Sequence, residues 1–530
     1  METTDTVMEN ERTPMMMTTK VERYTDYALK HLTTRLADDG QPHTHLKKQK
    51  NRLAHPLKGR WLKGYLRKAA HSNGELLRND DLNEIVENLY AHAEVDDTTL
   101  KISHRVSRTD EGDIELDRGD NTGERILFQN GKAISITSGS KTLFSRPETM
   151  LPLPSPAQTG DWKQLLPFLN MSEEHQHLVV AWMTFVMTHP RGDTAYPILF
   201  VRGPQGSGKS HLCRGVIRLF VDNNAAGIQL LPSNVKDMAI SARSQYVLAY
   251  DNVRSLTKRQ SDDLCVMATG GSISSRKLYT DHEESMLNVQ AALVLNGIPN
   301  VVEEPDLASR VITALALPID ASKRRDDTEM ARDLEARSAV IFKGLLDVCA
   351  ETLQAVPSAK VLYPERLMSF CGWLAASEPA MGLPVGMLQK AYSNNLRDAA
   401  LESVGENALA ITVLNFAKAI PGKKWVGTST QLLAELNKLA PPQTIHRSSE
   451  WPQNPIALSK RLVSVTPLLN SQGIDIGFSH GTQRQVEITY QPPGTEKAID
   501  EPDEPDENAD SAAPPGLTDC SPVQDQGGNA

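Results

Sequence analysis

The stretch Gly203–Ser210 reads GPQGSGKS and matches the pattern G-x-x-x-x-G-K-[ST] in full. The apolar run PILFV (197–201) before it predicts a buried strand, and HLCRGVIRLF (211–220) after it has the spacing of an amphipathic helix. Glycines between such a strand and helix let backbone N–H groups surround phosphate oxygens at the helix N-terminus. The stretch therefore predicts a phosphate-binding loop (P-loop) inside an α/β domain.

Each position of this loop has an expected part in binding ATP. Lys209 is expected to reach the β and γ phosphates, and the Ser210 hydroxyl is expected to ligate magnesium. A loop for another anion, or a chance match, is the alternative. The predicted ATP-binding residues are Gly203, Pro204, Gln205, Gly206, Ser207, Gly208, Lys209 and Ser210.

A second buried strand, YVLAYDNV (246–253), carries Asp251 near its end. A P-loop needs a partner strand whose acid holds the metal, and we assign Asp251 to that task. The next residue is Asn252, where a second carboxylate would prepare the attacking water, so the residue that activates water is not assigned. Four acids are nearby in sequence but have no assigned role: Asp262, Asp263, Glu283 and Glu284.

A third buried strand, AALVLNG (291–297), carries Asn296, whose amide is expected to orient water or sense the γ-phosphate. The segment PDLASR then places Arg310 on the expected protomer surface. An arginine there can reach the γ-phosphate of a neighbouring subunit and stabilise transition-state charge. For Asn296 the alternative is a turn residue, and for Arg310 it is an ordinary surface or salt-bridged arginine.

Between the second and third strands lies ATGGSISSRKLYTDHEESMLNV (268–289), which predicts a hairpin that projects from the sheet. The order of P-loop, acid-ended strand, basic hairpin, Asn-ended strand and arginine resembles the superfamily III helicases. This AAA+ branch includes the helicase part of phage, plasmid and viral primase-helicases. More closely, SDDLCVMATGGSISSRKLYTDHEE and LNGIPNVVEEPDLASR resemble ATPases encoded by phages and integrated mobile elements, and the resemblance covers residues 75–490.

The resemblance implies an AAA+ core that assembles into rings, hydrolyses ATP at subunit interfaces and moves along DNA threaded through the centre. It implies that Lys209 and Ser210 bind triphosphate and magnesium, that Asp251 holds the metal, that Asn296 is the sensor and that Arg310 is the finger. The expected partners are single-stranded or forked DNA and further copies of the chain in a hexameric ring. A separate primase or polymerase is also expected, because no primase signature precedes the motor.

Composition divides the chain into six segments with different character. The predicted segments are a flexible N-terminus (1–40), a basic α+β domain (41–154), the P-loop ATPase core (155–330), a helical subdomain (331–405), a winged-helix domain (406–490) and an acidic disordered tail (491–530). Gln41–Gly74 contains no acid and many cations interleaved with Trp61 and Tyr65, so it would attract a polyanion. A solvated helical face or mobile arm is the alternative for that stretch.

The C-terminal segment reads as three helices closed by a β-hairpin, which is the layout of a winged helix. Its third helix and its wing would suit DNA binding, and a winged helix used for protein contacts is the alternative. Candidates for DNA contact are Arg276, Lys277 and His282 in the projecting hairpin, and Lys460, Arg461 and Arg484 in this segment.

The chain has no pattern of a secretory signal, and its longest apolar run (178–187) is too short to span a bilayer. Its five cysteines are scattered without a CxxC pair. We therefore predict a cytoplasmic protein without a membrane partner. The acidic tail contributes much of the net charge of −10, so the net charge does not exclude DNA as a partner of the rest of the chain.

The sequence thus predicts an α/β protein with an AAA+-like P-loop core and a mainly parallel sheet, flanked by an N-terminal α+β domain and a C-terminal winged helix. The predicted function is an ATP hydrolase of the DNA helicase type, acting as helicase or replication initiator of a phage or integrated element. The alternative is a DNA-associated, nucleotide-dependent switch or scaffold, in regulation or defence, that does not translocate. A small-molecule P-loop kinase explains neither the hairpin nor the flanking segments.

Overall fold

The computed structural model of the chain describes residues 19–38, 40–48, 52–276, 284–320, 322, 324–441, 451–470, 472–480 and 484–491. The predicted acidic tail therefore lies outside the described residues except for Gln491. Within the described residues, no helix is long and apolar enough to cross a bilayer.

Two small sheets and three helices make up the N-terminal part of the chain. Strands β1, β2, β3 and β8 form one sheet, and β4 to β7 form an antiparallel meander. The elements are α1 (Lys20–His31), β1 (Leu32–Leu36), β2 (Pro42–Leu46), β3 (Leu53–Pro56), α2 (Arg60–Ser72), α3 (Asn79–Val95), β4 (Val106–Arg108), β5 (Ile114–Asp117), β6 (Arg125–Gln129), β7 (Lys132–Ile136) and β8 (Phe144–Ser145).

Helix α1 and strand β1 fall within residues 1–40, for which we predicted a flexible N-terminus. A capping box between Thr19 and Glu22 begins the helix. Tyr24 and Ala28 are then buried in a core that they share with residues of α2 and α3. Because capping and burial both favour the helix, the described part of this segment is ordered.

The central domain contains a five-stranded sheet of order β10-β11-β14-β9-β15, in which every pair of neighbours is parallel. This is the α/β domain with a parallel sheet that the alternating pattern predicted. A 3-10 helix (Trp162–Phe168) precedes it. Its elements are α4 (Glu173–Thr188), β9 (Ile198–Arg202), α5 (Lys209–His211), a π-helical turn (Leu212–Ile217), α6 (Arg218–Val221), β10 (Gln229–Leu230), α7 (Val235–Ser244), β11 (Val247–Val253), α8 (Lys258–Thr269), β12 (Gly271–Arg276), β13 (Glu284–Val289), β14 (Ala292–Gly297), α9 (Pro305–Ala308) and β15 (Val311–Leu315).

Side chains of the parallel strands alternate between two cores on opposite faces of the sheet. In β9, Leu199 and Val201 belong to the larger core, which also contains α4, whereas Ile198 and Phe200 belong to the other. A sheet buried on both faces explains why these strands read as continuous apolar runs. The predicted hairpin is also present, since β12 and β13 form an antiparallel pair apart from the main sheet.

A buried ionic cluster joins the N-terminal meander to the central domain. Arg105, which precedes β4, and Asp222, which follows α6, have fully buried side chains and approach to 3.1 Å. Arg105 also donates to the carbonyl oxygen of Leu151, and Arg218 lies 3.5 Å from the other Asp222 oxygen. Burial raises the pKa of Asp222, but Arg105 and Arg218 outweigh burial and lower it overall. Removing one partner of such a buried pair costs about 3–5 kcal/mol.

The C-terminal part is helical and ends in a small sheet of order β16-β18-β17. Strands β17 and β18 form an antiparallel hairpin, and four of the helices contribute side chains to a core shared with the sheet. The elements are α10 (Asp327–Ala355), α11 (Met368–Ala380), α12 (Met387–Glu406), α13 (Ala408–Ala419), β16 (Lys424–Thr428), α14 (Ser429–Leu439), α15 (Pro455–Asn470), β17 (Ile474–His480) and β18 (Arg484–Tyr490).

Candidate nucleotide-binding site

The loop Gly203–Ser210 follows the carboxyl end of β9 and leads directly into α5. Its glycines are required by the backbone: Gly206 and Gly208 have φ of 76° and 82°. A Cβ on Gly203 would lie 2.5 Å from the carbonyl oxygen of Ala316, closer than side chains tolerate. The loop conformation is therefore fixed by residues that the motif specifies.

The Lys209 ammonium is folded back into this loop. Its Nζ donates to the carbonyl oxygens of Gly203 at 2.8 Å and Pro204 at 2.7 Å, and the residue is only 9% exposed. Burial lowers the pKa of Lys209, and the carboxylate of Asp251 acts in the opposite direction. The cation thus lies within the loop where a phosphate-binding lysine is expected.

Ser210, Asp251 and Asn296 form a hydrogen-bonded triad, a name we keep for these three residues. Asn296 Nδ2 donates to Asp251 Oδ1 at 2.7 Å and to Ser210 Oγ at 3.2 Å. Ser210 Oγ donates to Asp251 Oδ1 at 3.3 Å. The sheet order causes this convergence, because β14 lies between β9 and β11 and all three strands end at the same edge.

The triad can bind a magnesium ion together with phosphate oxygens. Mg²⁺ is usually held by one or two carboxylates plus substrate phosphates and water, and a hydroxyl and a carboxylate converge here. Among the described residues, no group of three or more His, Cys, Asp or Glu side chains could hold a metal ion alone.

Asn252 does not point its side chain into the triad. Its φ is +55°, at a register shift between Tyr250 and Val253 in the pairing of β11 with β14. The side chain is exposed, and its Oδ1 accepts a bond from Arg254 Nε at 3.3 Å. Because asparagine tolerates the left-handed region better than most residues, the backbone explains the amide at this position.

Arg310 occupies a different environment from the open protomer surface that we predicted. Its side chain is 10% exposed, and Nη1 lies 2.6 Å from Asp306 Oδ2 and 3.8 Å from Cys265 Sγ. Arg366 pairs with the other oxygen of Asp306 at 2.6 Å. Hydrogen bonds from Arg310 and then Arg366 hold the pKa of Asp306 at about 2. The difference arises because Arg310, in the turn after α9, folds back onto Asp306 at the start of that short helix and also donates to its carbonyl oxygen.

Arg310 also lies far from the phosphate loop of its own chain. It immediately precedes β15, whose first residue pairs with Ile198 at the start of β9, whereas the loop follows the end of β9. One five-residue strand separates the two sheet edges by roughly 17 Å. Arg310 can therefore approach a γ-phosphate only if that phosphate is bound to another copy of the chain.

Two residues that the sequence did not single out also flank the loop. Asn170 Nδ2 donates to the carbonyl oxygens of Ser207 at 3.2 Å and Leu317 at 2.6 Å, which ties the loop to the segment after β15. Arg324 Nη2 lies 3.4 Å from the position that a Cβ of Gly206 would occupy. Neither belongs to a local motif, because long-range folding brings both to the loop.

The predicted DNA contacts are described to different extents. On α15, Lys460 is exposed and Arg461 is partly buried. For Arg276 in β12 and Arg484 in β18 the structure describes the backbone alone. Lys277 and His282 lie in the segment 277–283, outside the described residues.

Residues 162–399 match the family model for the actinomycete integrative conjugative element replication protein. Residues 409–504 match the model for the AICE RepA C-terminal domain. The first match contains the triad and Arg310, and the second contains α13 to α15 with their sheet. Together the two models cover more than half of the chain, and they confirm the predicted likeness to replication proteins of integrated mobile elements.

Two solved structures of the apo NrS-1 C-terminal region are similar to the chain at a TM-score of 0.37, which is too low to establish a common fold. Their sequence identities are 9% and 12%, and each comparison covers 88% of this chain and 98% of the other. No curated protein matches the chain.

Proposed function

We propose that this chain, which belongs through its two matched domains to the replication proteins of actinomycete integrative conjugative elements, is an ATP-hydrolysing replication initiator or helicase of such an element. The observation that carries the proposal is the triad of Ser210, Asp251 and Asn296 beside the phosphate loop. A strand order that places the asparagine strand between the loop strand and the acid strand supports an AAA+-type core.

In this proposal the loop amides and Lys209 bind the triphosphate. Lys209 exchanges its bonds to the Gly203 and Pro204 carbonyls for phosphate oxygens. Ser210 and Asp251 would hold magnesium, whose charge would offset that of the phosphates. Asn296 fixes the orientation of both ligands through its two donated bonds, and its amide can turn one donor toward the γ-phosphate or the attacking water.

Arg310 completes the site in trans. Its position at the opposite sheet edge supports a head-to-tail arrangement of copies in which each protomer supplies Arg310 to its neighbour. Arg310 must then leave Asp306, and the bond from Arg366 to the same carboxylate keeps Asp306 neutralised when it does. A closed hexameric ring around single-stranded or forked DNA is the assembly we propose, with a separate primase or polymerase as a further partner.

The C-terminal domain would bring this motor to DNA. Its three helices and antiparallel hairpin support a winged helix, with α15 in the major groove and Lys460 toward the bases or backbone. The β12–β13 hairpin is separate from the main sheet and would contact the strand in the ring centre, with Arg276, Lys277 and His282 as the candidate contact residues.

The alternative is a nucleotide-dependent switch that assembles on DNA without translocating. The position of Asn252 favours it, because this residue bonds Arg254 and adds no carboxylate to the triad. A site that binds ATP and magnesium but activates water poorly would hold nucleotide for longer than a motor does.

Steady-state ATP turnover with and without forked DNA, measured beside strand separation, distinguishes these functions. We expect DNA to stimulate turnover and Lys209→Ala to abolish turnover and unwinding. Lys258→Ala, which removes an exposed lysine on α8, is the matched control. Tight ATP binding with negligible turnover would favour the switch, and absence of ATP binding in the wild type would refute both.

The mass of the protein with a non-hydrolysable ATP analogue tests the role of Arg310. We expect a closed oligomer and, for Arg310→Ala, the same oligomer without turnover. A stable monomer at saturating nucleotide and DNA would eliminate catalysis in trans.

A further inference from the structure

The outer face of α2 carries positive charge without an accompanying acid. Residues on this face recur at three- and four-residue spacing and are all exposed: Arg60, Gly64, Arg67, Lys68 and His71. The opposite face contributes Leu62, Leu66 and Ala70 to the core, each at most 1% exposed. No aspartate or glutamate occurs from Gln41 to Gly74, so the charge is not balanced along this stretch.

The acids of the neighbouring helix α3 do not cancel this charge. Lys58, which precedes α2, pairs with Glu87 at 3.5 Å, and Lys63 donates to Asn83 at 2.8 Å. These contacts engage the cations on the α3 side of α2, and Arg67 lies at the edge of the outer face nearest that side. Arg67 meets a neutral partner, the amide oxygen of Asn79 at 2.6 Å, so its charge is retained.

Gly64 lies in the middle of this face, and no contact within the described structure requires glycine at this position. A Cβ at Gly64 would meet nothing within 4 Å. Glycine in a helix interior is destabilising relative to alanine, so packing and helix propensity would both accept a side chain. The absent side chain instead exposes helix backbone between cations, where an extended anion can approach closely.

A ladder of five aromatic rings holds α2 in place. His55 of β3 stacks on Trp61 at 4.0 Å, and Trp61 stacks on Tyr65 at 5.3 Å. Tyr65 then contacts Tyr27 of α1, which contacts His31. The pKa of His55 is lowered to about 4 by burial, so this ring is neutral near pH 7 and the positive charge comes from arginine and lysine. The rings pack against one another, whereas the cationic side chains on the outer face of α2 remain exposed.

We propose that the outer face of α2 binds the DNA phosphate backbone without reading its sequence, as a second DNA site separate from the C-terminal domain. Arg60 to His71 extend over about 17 Å of helix, which is long enough to contact several successive phosphates. Phosphate contacts of this kind position a protein on the duplex and carry no base information. The site does not depend on ATP turnover.

The test uses the full chain without nucleotide and two duplexes of equal length and unrelated sequence. We expect Arg60→Glu/Lys68→Glu to weaken binding to both duplexes at least tenfold, measured by fluorescence anisotropy. The slope of log affinity against log salt should become shallower by about 2, since each phosphate contact contributes about 1. Arg332→Glu/Lys360→Glu, two exposed positions elsewhere, is the charge-matched control and should leave binding near that of wild type.

A second variant separates binding from folding. Gly64→Ala should raise the Tm, because alanine favours the helix, yet weaken DNA binding severalfold, because its methyl group lies where the backbone would pack. Unchanged affinity and salt slope in Arg60→Glu/Lys68→Glu would overturn the proposal. So would a loss confined to one duplex, or an equal loss in the control. Because no ATP is present, failure here leaves the ATPase proposal intact, and failure of the ATPase leaves this site intact.

Discussion

Replacing Asn296 with alanine tests whether the triad is the centre of catalysis. Asn296 is 2% exposed and donates to Asp251 at 2.7 Å and to Ser210 at 3.2 Å. A hydrogen bond to a charged group contributes about 1.5–3 kcal/mol and a neutral one about 0.5–1.5 kcal/mol. Asp251 keeps its bond from Ser210, so we expect the free energy of unfolding to fall by about 2–3 kcal/mol, within the range for a buried polar deletion.

The effect on turnover should be larger than the effect on ATP binding. Losing one positioned donor from a reaction centre lowers kcat about 10²–10³-fold, or about 2.7–4 kcal/mol. The phosphate loop and Lys209 are untouched, so KM for ATP should change less than about threefold, since that corresponds to under 1 kcal/mol. Steady-state kinetics with saturating magnesium and DNA measures both constants.

The control is Asn300→Ala, which removes the same side chain a few residues beyond β14, where it accepts a bond from the Val302 amide. This variant should retain wild-type kcat. If Asn296→Ala keeps kcat within threefold of wild type while remaining folded, the triad does not act in the chemical step. A raised KM with unchanged kcat would assign Asn296 to ground-state binding alone.

Three further predictions follow from other residues. Asn252→Gly should leave kcat within about twofold, because its side chain lies outside the triad, whereas Asn252→Val should lower stability in urea unfolding by about 1–2 kcal/mol, the cost of the left-handed backbone. Asn170→Ala should raise KM for ATP about tenfold and lower the free energy of unfolding by about 1–3 kcal/mol, because two neutral bonds that hold the loop contribute about that much together. Burial and then Arg191 lower the pKa of His104 to about 3, so below pH 6.5 the unfolded chain binds a proton that the native ring does not. Stability should fall from pH 6.5 toward pH 3 by at most about 1.4 kcal/mol per unit for this group, and His104→Phe should remove that part of the slope in pH-dependent thermal unfolding.

Local patterns were sufficient to predict the elements that position the site. The P-loop motif, the apolar strands and the interleaved hairpin each depend on short-range spacing, and the structure contains the strands in one parallel sheet and the hairpin as a separate antiparallel pair. The convergence of Ser210, Asp251 and Asn296 also follows from a general rule, because parallel strands bring their carboxyl ends to one edge of the sheet.

The missed features depend on contacts that short patterns do not contain. Asn170 donates to the carbonyl oxygens of Ser207 and Leu317, which are distant in sequence, and no motif around Asn170 predicts these contacts. Asn252 looked like a missing acid because a strand was assumed to continue regularly, whereas a register shift turns this residue outward. For Arg310 the environment agrees with the alternative of a salt-bridged arginine, since Asp306, four residues earlier, forms the ion pair.

The cluster of Arg105 and Asp222 joins the N-terminal meander to the helical run that follows the phosphate loop. Asp222 follows a continuous run of helix that begins at Lys209 and is about 20 Å long. The phosphate loop lies at one end of this run, and the Arg105–Asp222 cluster lies at the other. The N-terminal meander is therefore attached, through the Arg105–Asp222 ion pair, to the far end of the helical run that begins at the phosphate loop.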